Sequence, residues 1–211
     1  MEIEIYSDVV CPWCWIGKRR LEQALASYDG HVPVRYRPFQ LDPSPVAEPT
    51  PLVDALGAKF GGRERAEQMA DQVTRVGAQV GLAMNFDRAV TANTFDAHRL
   101  IRYAHTQAKG PEVVEALHRA HFGDGVDIGS RAALAEVAAG VGLDAEAVRG
   151  YLDSDAGSAE VTADLAAARE IGVSSVPTFV IAGKYVVTGA QEPETLLAAL
   201  AEVERRESAP L

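Results

Sequence analysis

Two residues carry most of the reactive potential of this chain. Cys11 and Cys14 are its only cysteines in 211 residues, and they stand in "SDVVCPWCWIGKRRLEQAL" with Pro12 and Trp13 between them. Cysteines at this spacing serve a dithiol–disulfide couple, half of a metal site, or nothing beyond packing. The redox reading has a mechanism. A first cysteine at a helix N-terminus faces unpaired N–H groups and the positive end of the helix dipole, which favours a thiolate. A second cysteine one turn further in is more buried. It can attack a mixed disulfide formed on the first, because one helical turn brings the two sulfurs within reach. Zinc needs three or four ligands, and this chain has no second cysteine pair and no histidine near Cys11 in sequence. Two inert buried thiols are the plain alternative, since cysteine is often buried.

The elements that must hold these residues are readable around them. "IEIYS", residues 3 to 7, alternates apolar and polar residues and predicts a strand. Pro12 suits the first turn of the helix that follows, where a missing N–H costs nothing. Ile16, Leu21, Ala24 and Leu25 share one face of it. Residues 32 to 37 predict a second strand, so the chain opens as β-α-β. Five prolines between Pro38 and Pro51 then mark a connection. Helices follow: one capped by Thr50-Pro51 and ended by Gly61-Gly62, one from Ala66 to Val80, and others near 94–108, 111–122, 131–140 and 145–152. The last part predicts a helix over 159–172, a β-hairpin over 177–189 turning at Ala182-Gly183, and a helix over 192–206. The fold class is therefore α/β: β-α-β and α-β-β-α at the two ends, with an all-helical insertion between. Residues 1–45 and 155–211 form one domain, and residues 46–154 form the insertion, packed over one end of the sheet.

Composition narrows the function. The chain is 47% hydrophobic and 24% charged, ordinary for a globular protein. A net charge of −10 and a pI near 5.0 argue against nucleic acid, which demands clustered Lys and Arg. No run reaches the roughly 18 apolar residues of a membrane span. The acidic N-terminus lacks the basic region and apolar run of a signal peptide. The expectation is a cytoplasmic protein, without membrane or nucleic-acid partners, in a compartment that keeps thiols reduced. Oligomeric state is not readable.

A second stretch supports the dithiol. "GVSSVPTFVI" places Pro177 at the start of a strand, where proline is tolerated and where a cis bond is usually purposeful. Together, "CPWC" after a first strand, a helical insertion, and "GVSSVPTFVI" before a hairpin resemble the DsbA-like branch of the thioredoxin superfamily. Within it the chain looks most like the FrnE type of dithiol oxidoreductase, with "RPFQLDP", "NTFDAHRL" and "GAQEPETL" in support. The resemblance implies a thioredoxin-like fold. It makes Cys11 the nucleophile and Cys14 the resolving thiol. Pro177 becomes a cis-proline facing the pair, and Val176 offers backbone groups to an extended substrate strand. It implies no bound cofactor and no metal, with glutathione as a conceivable co-substrate. The substrate is a disulfide-containing protein or a small molecule.

One departure from the pattern matters. Periplasmic DsbA enzymes carry a histidine inside the motif, where this chain has Pro12-Trp13. The couple is then expected to be less oxidising than the roughly −120 mV of DsbA and nearer the roughly −270 mV of thioredoxin. That favours reduction or isomerisation over forced oxidation. Trp13 is expected exposed beside Cys11 as an aromatic wall for substrate, and Trp15 in the core. Phe39 and Gln40 follow the second strand and could line the groove, or Phe39 could be core. His98 could act as acid or base near Cys11, or be a hydrogen-bonded structural residue. His118 and His121, three apart, could form half of a metal site that no other residues complete. Two other functions fit less well. Kappa-class glutathione transferases and 2-hydroxychromene-2-carboxylate isomerases look similar in fold but usually place a serine where Cys11 stands. A non-catalytic peptide-binding module would not need the cysteines.

Overall fold

Four strands alternate with helices much as the sequence predicts. The computed structural model describes residues 1–208. Strand β1 (Ile3–Ser7) leads into helix α1 (Pro12–Ala26) and returns as β2 (Val34–Pro38). Helices α2 (Leu52–Phe60), α3 (Arg63–Gln79), α4 (Phe95–Thr106), α5 (Gly110–His118), α6 (Arg131–Gly140) and α7 (Ala145–Asp153) follow. Helix α8 (Ser158–Glu170), the hairpin β3 (Thr178–Ile181) and β4 (Tyr185–Thr188), and helix α9 (Pro193–Glu207) complete the chain. The sheet order is β2-β1-β3-β4. β1 and β2 are parallel, Ile3 facing Val34 and Ser7 facing Pro38, while β3 runs antiparallel to both β1 and β4. This is a thioredoxin-like α/β fold.

Strand alternation decides what each face buries. Ile3, Ile5, Tyr36, Phe179 and Ile181 point to one side and join Leu21 and Ala24 of α1 with Leu196, Leu200 and Val203 of α9. Tyr6 and Val180 point to the other side and meet Ala168 of α8. The hairpin turns where expected, with Ala182 and Gly183 both at positive φ (53° and 67°), the backbone hand that suits a tight β-turn.

The insertion does more than cover one end of the sheet. Leu100, Val113, Leu117, Leu134 and Leu152 belong to the same buried cluster as Ile3 and Ile5. Helices α2 and α3 form a second cluster, in which Val53, Ala66, Ala70 and Val73 pack on Trp15 and Ile16 of α1. Nor is the insertion helical throughout. Between α3 and α4 the chain runs without a helix, and Pro51 bridges to Val90. Local corrections follow from side-chain competition. Thr50 does not cap α2, because its hydroxyl meets that of Thr91 and its carbonyl accepts from Thr91 N–H. Strand β2 starts at Val34 rather than Val32 and runs on through Pro38, which as the last residue of an edge strand sacrifices no ladder bond. The helix expected over 111–122 ends as α5 at His118 and continues as a π-helical turn over Arg119–Asp124. The extra residue in that turn rotates His121 and Phe122 fully inward.

Candidate active site

The dithiol sits where β1 hands the chain to α1. Residues Asp8 to Val10 make the turn, and Cys11 is the N-cap of α1 with extended backbone angles, Pro12 taking the first helical position. Cys11 N–H donates to the Asp8 carbonyl at 3.0 Å. Cys11 and Cys14 lie 3.6 Å apart as free thiols, 5% and 2% exposed respectively. Burial pushes the Cys14 thiol well up from its ordinary value, and neighbouring Cys11 adds to this. Hydrogen bonds from the Ser7 side chain and the Asp8 backbone work in the other direction.

Pro177 comes to this pair from 163 positions along the chain by way of the sheet. The Val176–Pro177 bond is cis, and the Cys11 Sγ lies 3.8 Å from the Val176 carbonyl oxygen. Helix α1 approaches this segment at a glycine. A Cβ on Gly17 would fall 2.8 Å from the Pro177 ring, so any larger residue would push α1 away from Pro177. The loop before β3 is held by Thr178, whose hydroxyl donates to the Ser175 carbonyl at 2.7 Å. Of the six residues proposed from sequence, Cys11, Cys14, Val176 and Pro177 therefore meet. Pro12 is half-buried, and Trp13 is 36% exposed beside them. Trp15 is core, its Nε1–H donating to Glu115 at 3.1 Å. Burial opposes the charge of Glu115, yet the Lys18, Trp15 and Arg19 contacts hold its carboxyl below the ordinary range.

Asp8 was not singled out from sequence, and it is the hub of the turn. It is fully buried. One carboxylate oxygen accepts from Leu41 N–H at 2.8 Å. The other lies 3.4 Å from His98 Nε2, whose hydrogen bond goes to the Phe39 carbonyl at 2.9 Å. His98 is thus a structural histidine that ties the 39–41 segment to the turn before Cys11. Phe39 is half-buried, and Gln40 donates to Asn93 and Thr94, so it is engaged by the insertion. The signal available in the sequence was an acidic residue three positions before a helix-capping cysteine.

Beneath the turn lies a second polar group. His118 donates through Nδ1 to the Val114 carbonyl at 2.9 Å, and its ring stacks on Trp15 with centroids 6.0 Å apart. His118 Nε2, both nitrogens of His121 and one Asp8 oxygen have no hydrogen-bond partner. Burial pushes each imidazole down to about 4, so both are neutral at pH 7. Among the described residues no group of three or more His, Cys, Asp or Glu side chains is placed to hold a metal.

A four-stranded sheet, a helix-capping dithiol and a facing X-Pro segment define a class, and comparison with known proteins agrees. The chain belongs to the DSBA-like thioredoxin domain family, whose model matches residues 2–201. It is similar to a probable DsbA oxidoreductase from Streptomyces coelicolor, with 37% identity and a TM-score of 0.93 over 100% of this chain and 92% of that one. Two further likenesses are of fold. A 2-hydroxychromene-2-carboxylate isomerase aligns at 18% identity and TM-score 0.73, covering 99% of this chain and 98% of that one. A cytosolic disulfide reductase, DsbM from Pseudomonas aeruginosa with GSH, aligns at 21% identity and TM-score 0.63, covering 97% and 100%. No helix among the described residues is long and apolar enough to cross a membrane.

Proposed function

We propose that this protein is a thiol–disulfide oxidoreductase of the reductase or isomerase type. Cys11 is its nucleophile and Cys14 its resolving thiol. The observation that carries the reading is the pair itself, 3.6 Å apart, with Cys11 at the N-cap of α1 and 3.8 Å from the Val176 carbonyl. The Cys11 thiolate attacks a substrate disulfide sulfur, forming a mixed disulfide and releasing one substrate thiolate. Cys14 then loses its proton and attacks the Cys11 sulfur. The second substrate thiolate leaves, and a Cys11–Cys14 disulfide remains. A thiol such as glutathione returns the pair to the dithiol. Val176 and Pro177 line the approach as an extended substrate segment pairs along this edge, with Pro12 and exposed Trp13 forming the opposite wall.

The likeness to DsbM, whose structure holds GSH, supports a low-molecular-weight thiol as partner and a cytoplasmic setting. A glutathione-dependent isomerase of the 2-hydroxychromene-2-carboxylate type is the second reading. The fold likeness favours it, and a cysteine at both motif positions weighs against it. Reduction of a model protein disulfide, driven by glutathione, separates them. Wild type is expected to turn over and Cys11→Ser to fall to background. Full activity in Cys11→Ser, or tight glutathione binding with no disulfide reduction by either protein, refutes the dithiol reading.

A further inference from the structure

A cavity of about 300 Å³ lies along the outer edge of β2, roofed by α4 and closed below by α8. Ser7, a neighbour of Cys14, is also part of its lining, but neither cysteine is. Its volume is at the lower end of those that hold small organic ligands. Its lining divides into two halves of different chemistry.

The mouth is lined by paired charges. Arg35, Arg37 and Arg102 face it with Asp164, and Glu2, Glu4 and Glu160 stand against the same arginines. Arg37 is committed to Glu4 at 2.5 Å, with Asp164 further off at 3.5 Å. Arg35 and Arg102 are held more loosely. Arg35 reaches Glu2 only at 3.7 Å, and Arg102 reaches Glu160 and Asp164 at 3.6 and 3.7 Å. Long, exposed pairs of this kind hold their partners weakly. Both guanidiniums are free to turn toward an anion and bind it in a forked geometry.

The inner half is apolar, built by Ile101, Val114 and Val161, all buried. One polar atom of the lining lacks a partner. His105 lines the cavity, and its Nε2 is shielded from solvent without a hydrogen-bond partner. The ring is fixed in place. Gly110 makes room for it, since a Cβ there would meet the imidazole at 2.4 Å, and Tyr36 stacks on it with centroids 6.5 Å apart. Burial, with Arg35 and Arg37 nearby, shifts this imidazole below its ordinary value and keeps it neutral. A shielded polar atom without a partner is costly unless something meets it.

We propose that this cavity is a binding site for a small organic carboxylate with a compact apolar body. The carboxylate lies between Arg35 and Arg102 at the mouth, the body rests on Ile101, Val114 and Val161, and His105 Nε2 bonds a polar substituent. The apolar half distinguishes this ligand from inorganic phosphate, which would leave those side chains uncovered.

The test needs no thiol chemistry, so it stands or falls apart from the disulfide reading. Benzoate, which has the carboxylate and the apolar body, and 4-hydroxybenzoate, which adds the polar substituent, are titrated into the full chain by calorimetry, with acetate and inorganic phosphate as comparisons. The hydroxyl is expected to tighten binding, and weaker binding than benzoate overturns the His105 contact. Saturable one-to-one binding of benzoate is expected, with acetate at least about tenfold weaker because it buries almost no apolar surface. Arg35→Ala and Arg102→Ala should each weaken benzoate about tenfold, the scale of a charged hydrogen bond. Both side chains are exposed and folding does not rest on them. Thr106→Phe at the exposed rim should block entry. Absence of saturable benzoate binding overturns the proposal. So does phosphate or acetate binding as tightly as benzoate, or benzoate binding unchanged in both arginine variants.

Discussion

Arg99 offers the sharpest test of what holds the turn between α7 and α8. It is 1% exposed, a rare state for a guanidinium. Its Nη1 bonds Asp96 at 2.6 Å and the Leu152 carbonyl at 3.1 Å. Its Nη2 bonds the carbonyls of Tyr151, Ser154 and Ala156, and its Nε donates to Ala156. One side chain therefore holds the whole turn between α7 and α8. Arg99→Met keeps much of the apolar length and removes every donor. The carbonyls of Leu152, Ser154 and Ala156 lose these bonds together, while Tyr151 keeps the Ser154 hydroxyl and Asp96 keeps Arg131. Each charge-assisted bond is worth about 1.5–3 kcal/mol, and breaking a buried charge pair on one side costs about 3–5 kcal/mol. Because water reaches part of the opened turn, a total loss near the latter range is expected, about 3–5 kcal/mol. For a chain of 211 residues each kcal/mol moves the thermal midpoint by about 2–4 °C, so Tm should fall by about 6–20 °C. Urea unfolding followed by circular dichroism measures the free energy directly. Arg99→Lys should recover the Asp96 pair but not the fan of carbonyl bonds, and so fall between the two. A methionine variant within about 1 kcal/mol of wild type would refute the reasoning.

Two other outcomes follow from the buried histidines and from the motif. In the unfolded chain His118 and His121 take up protons as pH falls through about 6.5, whereas in the folded protein both resist to about 4. Stability should be full above pH 6.5 and decline between 6.5 and 4, by at most about 1.4 kcal/mol per pH unit for each imidazole. At His118 the charges of Glu115 and Asp8 oppose this shift, whereas Lys18 adds to it. Replacing His121 by Asn should flatten the decline in denaturant titrations at pH 7 and 4.5, and an unchanged slope would contradict this account. The Cys11–Cys14 couple, equilibrated with glutathione, should have a potential nearer about −270 mV than about −120 mV. A value at the oxidising end would show that Pro12-Trp13 does not set the couple as argued.

Much of the scaffold was legible because its signals are local. Alternation over Ile3–Ser7, proline after Cys11, and glycine at hairpin and helix ends each act within a few residues. The reactive pair was legible for the same reason, since helix capping and one-turn spacing are properties of four consecutive residues. Contacts made across the fold were not. "NTFDAHRL" is one short stretch, yet its use is spread over three places: Asn93 bonds the carbonyls of Pro43 and Ser44, His98 that of Phe39, and Arg99 the turn after α7. No periodicity encodes such bonds. Nothing in the sequence neighbours of Asp8 reveals that Leu41 and His98 come to meet it. The π-helical turn over Arg119–Asp124 carries His121 and Phe122 inward, and helical spacing alone does not mark where it begins.

The central claim is that Cys11 is the sulfur that meets substrate and Cys14 the one that releases it. Cys14→Ser and Cys11→Ser proteins, each incubated with an excess of a disulfide peptide and analysed intact by mass spectrometry, test it most directly. The account predicts a stable mixed disulfide on Cys11 in the Cys14→Ser protein, and little or none on the 2% exposed Cys14 in the Cys11→Ser protein. Equal trapping on both cysteines, or trapping on Cys14 alone, would contradict it.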